Sequence, residues 1–565
     1  MNESHPYSTK APDSPQRRRE RSRRAGIVLI IVMVVVVMIS LAGFGFVASI
    51  SNENRVVHLR GEQMQMQNAL ASAEEFLKQH LSQPPSTESS PVTPDEEQEL
   101  MRGVVVADEP RPNSRVRFTV MAPYYDDGSN AKWHYGLLRE SGRLDLRSVL
   151  NWENRQAGLG RKSLMTLPGM TEAIADALLD WMDRDKTPRP AGAEDDYYAS
   201  LTPPYSPRNG IPISLEELLL VKGVTRSLLY GQDANQNHRL DLDEQSFGRD
   251  PVQQDATGEK HIPWIELLTL CSQERNVSAS GHPRINLNHF DLRQLHLQLS
   301  SAIDPAFATF VVLYRQFGPD TGNGKSINPK SVKLEFHLPA QFPVRSILDL
   351  VGCRVRIASP VAGAAHVDSP LKGESEKLEK SLATLWDRVT VSPEPILKGL
   401  VNINQASTEV LQAIPGMEKG LADQIVTARS STTKKDRSHD EHPCWLLTEG
   451  LVDLNKMRQL APYLTVGGDV YRTQVIAFSE ASRLSQRVEL VLDASRRPVR
   501  RVYWKDLQVL GRGYPWDVID TPGGTSRTPT GKTPIAGTPT GNARSGNTQS
   551  GNTQTGAFNA TPLGN

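Results

Sequence analysis

The sequence predicts an α+β protein: one membrane-crossing helix that continues as a stalk, then an antiparallel sheet interrupted by a large helical insertion. Three observations predict it. Ile27 to Ile50 is an uncharged run, long enough at about 1.5 Å per residue to cross a roughly 30 Å hydrocarbon layer. Apolar and polar residues alternate, with turn signals, both in 115–147 and in 466–520, the pattern of half-buried strands. Between those stretches the period becomes helical, with glycine turns punctuating short apolar segments.

Taken in order, residues 1–26 read as a polar, disordered leader on the cytoplasmic side. Arg17, Arg18, Arg19, Arg21, Arg23 and Arg24 precede the apolar run and hold that end inside by the positive-inside bias. Residues 27–50 are the membrane helix, and a cleaved secretory signal fits less well because the run is long and lacks an A-x-A-like site after it. Residues 51–82 are a stalk helix, since Val56, Leu59, Met66, Leu70, Ala73, Leu77 and Leu81 recur at threes and fours. An isolated coiled-coil segment is the alternative for that stretch. A Pro/Ser/acidic linker fills 83–114 and the first strands lie in 115–147.

The insertion spans 148–357, followed by a Gly/Pro-punctuated linker at 358–398, with Ala358 to Glu376 reading as loop. A second helical segment covers 399–465. Strands return in 466–520, and the TPTG and SGNTQ repeats of 521–565 read as a disordered tail. Lys plus Arg equals Asp plus Glu, at 64 each in 565 residues, so no net field draws the chain to nucleic acid. Three cysteines, Cys271, Cys353 and Cys444, are too few for a disulfide scaffold; one disulfide with an odd thiol is open, and three buried thiols is the simpler expectation.

The most specific chemical signal is the segment from Asp233 to Glu244. Asp233, Asn235 and Asn237 stand at loop positions 1, 3 and 5, the Arg239 carbonyl at 7, Asp241 at 9 and Glu244 at 12. Those are the oxygens a seven-coordinate Ca²⁺ takes from an EF-hand loop. His238 occupies the sixth position, where glycine is usual because the backbone is left-handed. A structural Ca²⁺ is therefore expected here, against a plain polar turn. A second acidic group, Asp183, Asp185, Glu194, Asp195 and Asp196, reads as a solvated turn in preference to another ion site.

Gly169, Gly223 and Gly416 each sit at a turn between short apolar helical segments, a pattern resembling the helix-hairpin-helix unit. Such units contact nucleic-acid backbone through a G-x-G turn. The second glycine is replaced each time, and Glu418 stands where a phosphate would sit, so packing is the preferred role and nucleic acid is not an expected partner. No nucleophile elbow, phosphate loop or zinc pair occurs, so catalysis is not expected.

Arg-Arg-Ala-Gly26 followed by Ile27 resembles the prepilin-peptidase junction of type IV pilins and pseudopilins. Ile31, fifth from Ile27, replaces the usual glutamate. Farther on, Asp180-Trp181-x-Asp183-x-Asp185, the block Gly192 to Tyr198, Pro203 to Asn209 and Leu215 to Gly223 strongly resemble protein K of the type II secretion pathway. The resemblance implies a pilin-like helix and sheet with a helical insertion, cleavage between Gly26 and Ile27, and an inner-membrane anchor with the bulk of the chain periplasmic. It also implies minor pseudopilins I and J as partners and a place at the pseudopilus tip, starting its assembly and supporting export of folded proteins across the outer membrane. Calcium binding, known in that family, is carried only onto the loop at Asp233 to Glu244. A membrane-anchored DNA-uptake protein or an unrelated tethered scaffold are the alternatives.

Overall fold

A computed structural model describes residues 15–83, 99–107, 115–123, 133–241, 244, 262–322, 326–359, 363–371, 375–431 and 442–520. The first helix, α1 (Pro15–Ser82), runs unbroken through the apolar run and the stalk. Backbone helix thus reaches back into the arginine-rich segment expected to be disordered, which contains strong helix formers and no proline after Pro15; residues 1–14 lie outside the described residues. Every described side chain from Val28 to Ile50 is exposed. Among the described residues, α1 is the one helix long and apolar enough to cross a membrane.

The sheet is antiparallel along its main path. It comprises β1 (Val104–Ala107), β2 (Val116–Met121), β3 (Val470–Ser479), β4 (Ser485–Asp493) and β5 (Arg500–Asp506), in the order β1-β2-β3-β4-β5. A short strand, Leu138–Arg139, also pairs with β3. β2 and β3 are hydrogen-bonded neighbours with Val120 opposite Val475, although more than 340 residue numbers separate them. Apart from the short strand Leu138–Arg139, the chain between them is an insertion into one sheet, as the returning strand pattern predicts.

Side chains alternate across a strand, and the two faces here bury different chemistry. Phe118, Val120, Val475, Ala477, Val488, Leu490 and Leu492 pack against Met66, Ala69, Leu70, Ala73 and Leu77 of α1. The predicted stripe is therefore real from Met66 onward. Val56 and Leu59, in the same stripe, are exposed, because that part of the helix lies beyond the sheet-packed segment. Glu74 on α1 pairs with Arg501 on β5 at 2.6 Å, and Arg497 donates to the Leu81 carbonyl. Helix and sheet are pinned at the stalk's end.

The inserted region builds one large apolar core, including Trp152, Trp181, Trp264, Phe310 and Trp445. Two of its glycine turns are reciprocal. One turn joins α2 (Leu159–Leu164) to α3 (Glu172–Met182), and the other leads into α4 (Arg226–Tyr230). A Cβ on Gly169 would lie 2.5 Å from Leu228 of α4, and one on Gly223 would lie 2.9 Å from Ile174 of α3. Both glycines have positive φ, 66° and 83°, so neither position suits a side chain. Thr171 and Thr225 cap the two following helices. A comparable turn at Gly416 separates α5 (Thr408–Gln412) from α6 (Lys419–Ser431).

Two expectations need correction. The stretch Ala358 to Glu376, read as loop, contains Gly363–Asp368 paired antiparallel with Arg354–Ser359, and a helix begins at Ser375. Small residues such as Gly363, Ala364 and Ala365 hid the strand, because pairing there is set by a neighbour strand and not by side-chain propensity. The cysteines are free, but only Cys444 is buried; Cys271 and Cys353 are half-buried. The tail at 521–565 and much of the 83–114 linker lie outside the described residues, but the described part of that stretch is not all linker, since β1 (Val104–Ala107) falls within it and pairs with β2.

Candidate calcium sites and a buried charged junction

At its sixth position the loop from Asp233 to Glu244 has the backbone conformation the EF-hand pattern calls for. His238 sits at φ 63°, the left-handed conformation of the sixth position. Asp233 accepts from the backbone N–H groups of Asn237 (3.2 Å) and His238 (2.8 Å). Asn235 accepts from Asn237 N–H, and Asn237 accepts from Arg239 N–H. The Glu244 carboxylate closes the ring by accepting from Ala234, Asn235 and Asp241, while Asp241 accepts from the side chains of Asn235 and Asn237. Asp233, Asn235, Asn237, Asp241 and Glu244 therefore converge in one loop, and Arg239 supplies backbone to it. Burial, with the nearby Glu244 charge adding to it, raises the Asp233 carboxyl to about 6 despite the opposing His238. A cation would relieve that cost, so the donor set fits a hard divalent ion.

A tighter acidic group lies elsewhere. Among the described residues, the three acids whose ligand oxygens all lie within 4.8 Å of one another are Asp183, Asp185 and Glu194. The solvated-turn expectation fails for Glu194 and Asp183, which are 5% and 9% exposed, and holds for Asp185 and Asp196, which are exposed. Asp183 Oδ1 and both Glu194 oxygens are buried without a hydrogen-bond partner. Burial, followed by the charges of Asp180, Asp183 and Asp185, raises the Glu194 carboxyl to about 7. Arg189 neutralises only one side, reaching Asp180 at 2.6 Å and Asp183 at 2.5 Å. Unpaired buried carboxylates are costly, and a cation held by Asp183, Asp185 and Glu194 would complete them. Asp195 instead faces Lys186 at 3.0 Å. The sequence spacing D-x-D…E carried the signal, but burial could not be read from it.

The insertion also meets the sheet through charges that the sequence reading missed. The face of β3 and β4 opposite α1 carries Arg472, Gln474, Arg487 and Glu489, all buried. Arg472 reaches Glu140 at 2.7 Å and also binds Glu489. Glu140 and Glu266 share Arg143. His238 completes the set, its Nδ1 against Glu266 and its Nε2 3.5 Å from Glu489. Burial alone would lower the His238 pKa, but Glu266 and then Glu489 outweigh it and raise it to about 9. Protonated, it balances three carboxylates against Arg143, Arg472 and itself. Arg487 Nη2 donates to the Asn235 carbonyl and Gln474 Nε2 to the Gln236 carbonyl. Asn237 Nδ2 and the Gly513 carbonyl join the loop to the chain after β5. The calcium-type loop is thus bolted directly to the sheet.

An α+β protein with one N-terminal helix long and apolar enough to cross a membrane, and a sheet split by a helical insertion, is the class these features define. Residues 142–230 match the family model described as Type II secretion system (T2SS), protein K. The "Putative type II secretion system protein K" of Escherichia coli (strain K12) is 38% identical over 60 residues, 11% of this chain and 18% of that protein. The "Type II secretion system protein K" of Aeromonas hydrophila is 45% identical over 56 residues, 10% and 17% respectively. These alignments span less than a fifth of either relative. The crystal structure of the GspK-GspI-GspJ complex from enterotoxigenic Escherichia coli matches at 12% identity and a TM-score of 0.34, covering 79% of this chain and 98% of that chain. The resemblance to protein K of the type II secretion system is shown on residues 142–230, the segment that holds the Asp183 cluster and both reciprocal glycine turns.

Proposed function

We propose that this chain is a protein K-type minor pseudopilin, anchored in the inner membrane by residues 27–50 with its sheet and insertion in the periplasm. It acts at the tip of the type II secretion pseudopilus with minor pseudopilins I and J, starting assembly and supporting export of folded proteins. The observation that carries this reading is the match of residues 142–230 to the protein K model. The arrangement around it agrees, with a long apolar helix that packs its end on a sheet interrupted by that segment. Ile31 in place of glutamate suits a subunit with no neighbour above it. Calcium is proposed as a structural cofactor, held by Asp233, Asn235, Asn237, the Arg239 carbonyl, Asp241 and Glu244, and by Asp183, Asp185 and Glu194. When bound it supplies positive charge and rigidity, no reaction step.

The glycine turns support packing over nucleic-acid contact, since Gly169 and Gly223 press against each other's helices. Gly26 and Ile27 lie within the backbone of α1, and the prepilin peptidase is the proposed processing partner. Mass spectrometry of the N-terminus of the membrane-extracted protein tests the reading. A mature chain beginning at Ile27 is expected; an intact Met1 would remove the pseudopilin mechanism and leave a tethered scaffold.

A further inference from the structure

The insertion does not close completely over the sheet. A cavity of about 540 Å³ remains between the 211–216 loop, the 265–273 segment and the insertion-facing side of β4 and β5. Its chemistry is lopsided. Arg147, Lys398, Arg496 and Arg500 line it, all four exposed, and none of them makes an ion pair with a described residue. Of the lining carboxylates, Glu140 is taken by Arg472 and Glu216 by Lys505. Asp493 accepts from the neutral Gln273 and Ser495. The mouth therefore keeps a surplus of positive charge over low-dielectric walls, which focuses the field there.

Apolar surface accompanies the charge. Ile213 and Val502, both lining residues, are 75% and 47% exposed, and Ile265 forms part of the wall. β5 is also the edge of the sheet, paired with β4 on one side and with no strand on the other among the described residues. An unpaired edge offers a ladder to an extended chain. Cations, an apolar strip and a free edge in one place recognise one ligand chemistry.

We propose that this cleft is a docking site for an extended, acidic segment of a partner protein, with an apolar side chain seated by Ile213 and Val502 and carboxylates facing Arg147, Lys398, Arg496 and Arg500. The proposal does not rest on the pseudopilus reading, and its failure would leave that reading as it stands.

The test uses the full-length protein in detergent and the fluorescent peptide Ac-Asp-Glu-Leu-Glu-Asp. Anisotropy is expected to show binding at low salt that weakens as salt rises. Arg496→Glu/Arg500→Glu and Ile213→Asp should each weaken it at least about tenfold, while Lys333→Glu, outside the cleft, should not. Replacing the peptide leucine by glycine should also weaken it. The substituted positions are exposed, and an unchanged melting temperature confirms an intact fold. No binding at low salt, equal binding of a lysine-for-acid peptide, or unaltered affinity of the charge-reversed variant would overturn the proposal. A short single-stranded DNA bound as tightly, and lost with the same variants, would also overturn it, because the cleft would then read charge alone.

Discussion

His238 Nε2 lies 3.5 Å from Glu489 Oε2, so the sixth residue of a calcium-type loop touches a strand of the sheet. Its backbone needs the left-handed region that glycine occupies most easily. By backbone alone, His238→Gly should stabilise. The buried carboxylates of Glu266 and Glu489 would then lose their shared cation, which costs about 3–5 kcal/mol when one partner of a buried pair is removed. The charge effect is the larger, so His238→Gly is expected to lower the melting temperature. Thermal unfolding followed by circular dichroism checks it, and a melting temperature at or above wild type would show that the junction is not held by this histidine.

The two candidate ion sites separate by their response to calcium. A bound ion stabilises only the folded state, so calcium should raise the melting temperature and a chelator should reverse it. Asp233→Asn/Glu244→Gln should lose part of that rise. Glu194→Gln should lose the other part, and in chelator it should be neutral or stabilising, because it removes a buried carboxylate with unpartnered oxygens. An unchanged calcium response in either variant rules out the corresponding site.

How far these features were legible in the sequence depends on whether the signal was local. The stripe Met66, Leu70, Ala73, Leu77 announces its own helix face, and the returning strand pattern announces the closure of β3 on β2. The Asp233 to Glu244 ligand spacing is local too. Burial of Glu194, by contrast, comes from segments packed over it, and the same acidic spacing suits a solvated turn equally well. Arg472 and Glu489 were hidden for a related reason. Alternation says which residues share a face, but not that Glu140, Arg143, His238 and Glu266 will arrive from the insertion to meet them. Val56 and Leu59 fit the stalk stripe and are nevertheless exposed, because periodicity cannot say where the sheet stops.

Gly169 and Gly223 give a backbone test. Alanine at Gly169 would place Cβ 2.5 Å from Leu228 at a φ of 66°, combining overpacking with a strained backbone. Each of these effects costs on the order of 1–3 kcal/mol. Gly169→Ala and Gly223→Ala should both destabilise, and the double variant should be non-additive because each glycine packs against the other unit's helix. Denaturant unfolding of the four proteins measures it; strictly additive losses would mean the two turns are energetically separate.

The junction also fixes how stability depends on acid. Burial pushes the Glu489 carboxyl up, but Arg472 and then His238 outweigh it and hold it well below its ordinary value of 4.5. Glu140 is lowered in the same way, burial being outweighed by Arg472 and Arg143. A carboxyl depressed in the folded state binds its proton more readily once unfolded, so stability rises with pH across that interval. The contribution is present above the unfolded value near 4.5 and is lost as pH falls toward the depressed folded values. Glu489→Gln removes one such group. It should lower the melting temperature at neutral pH, where Arg472 and His238 lose a buried partner, and flatten the fall in melting temperature below pH about 4.5. A variant whose acid limb is as steep as that of wild type would show that Glu489 titrates alike in both states, and would remove the charge network as the source of acid sensitivity.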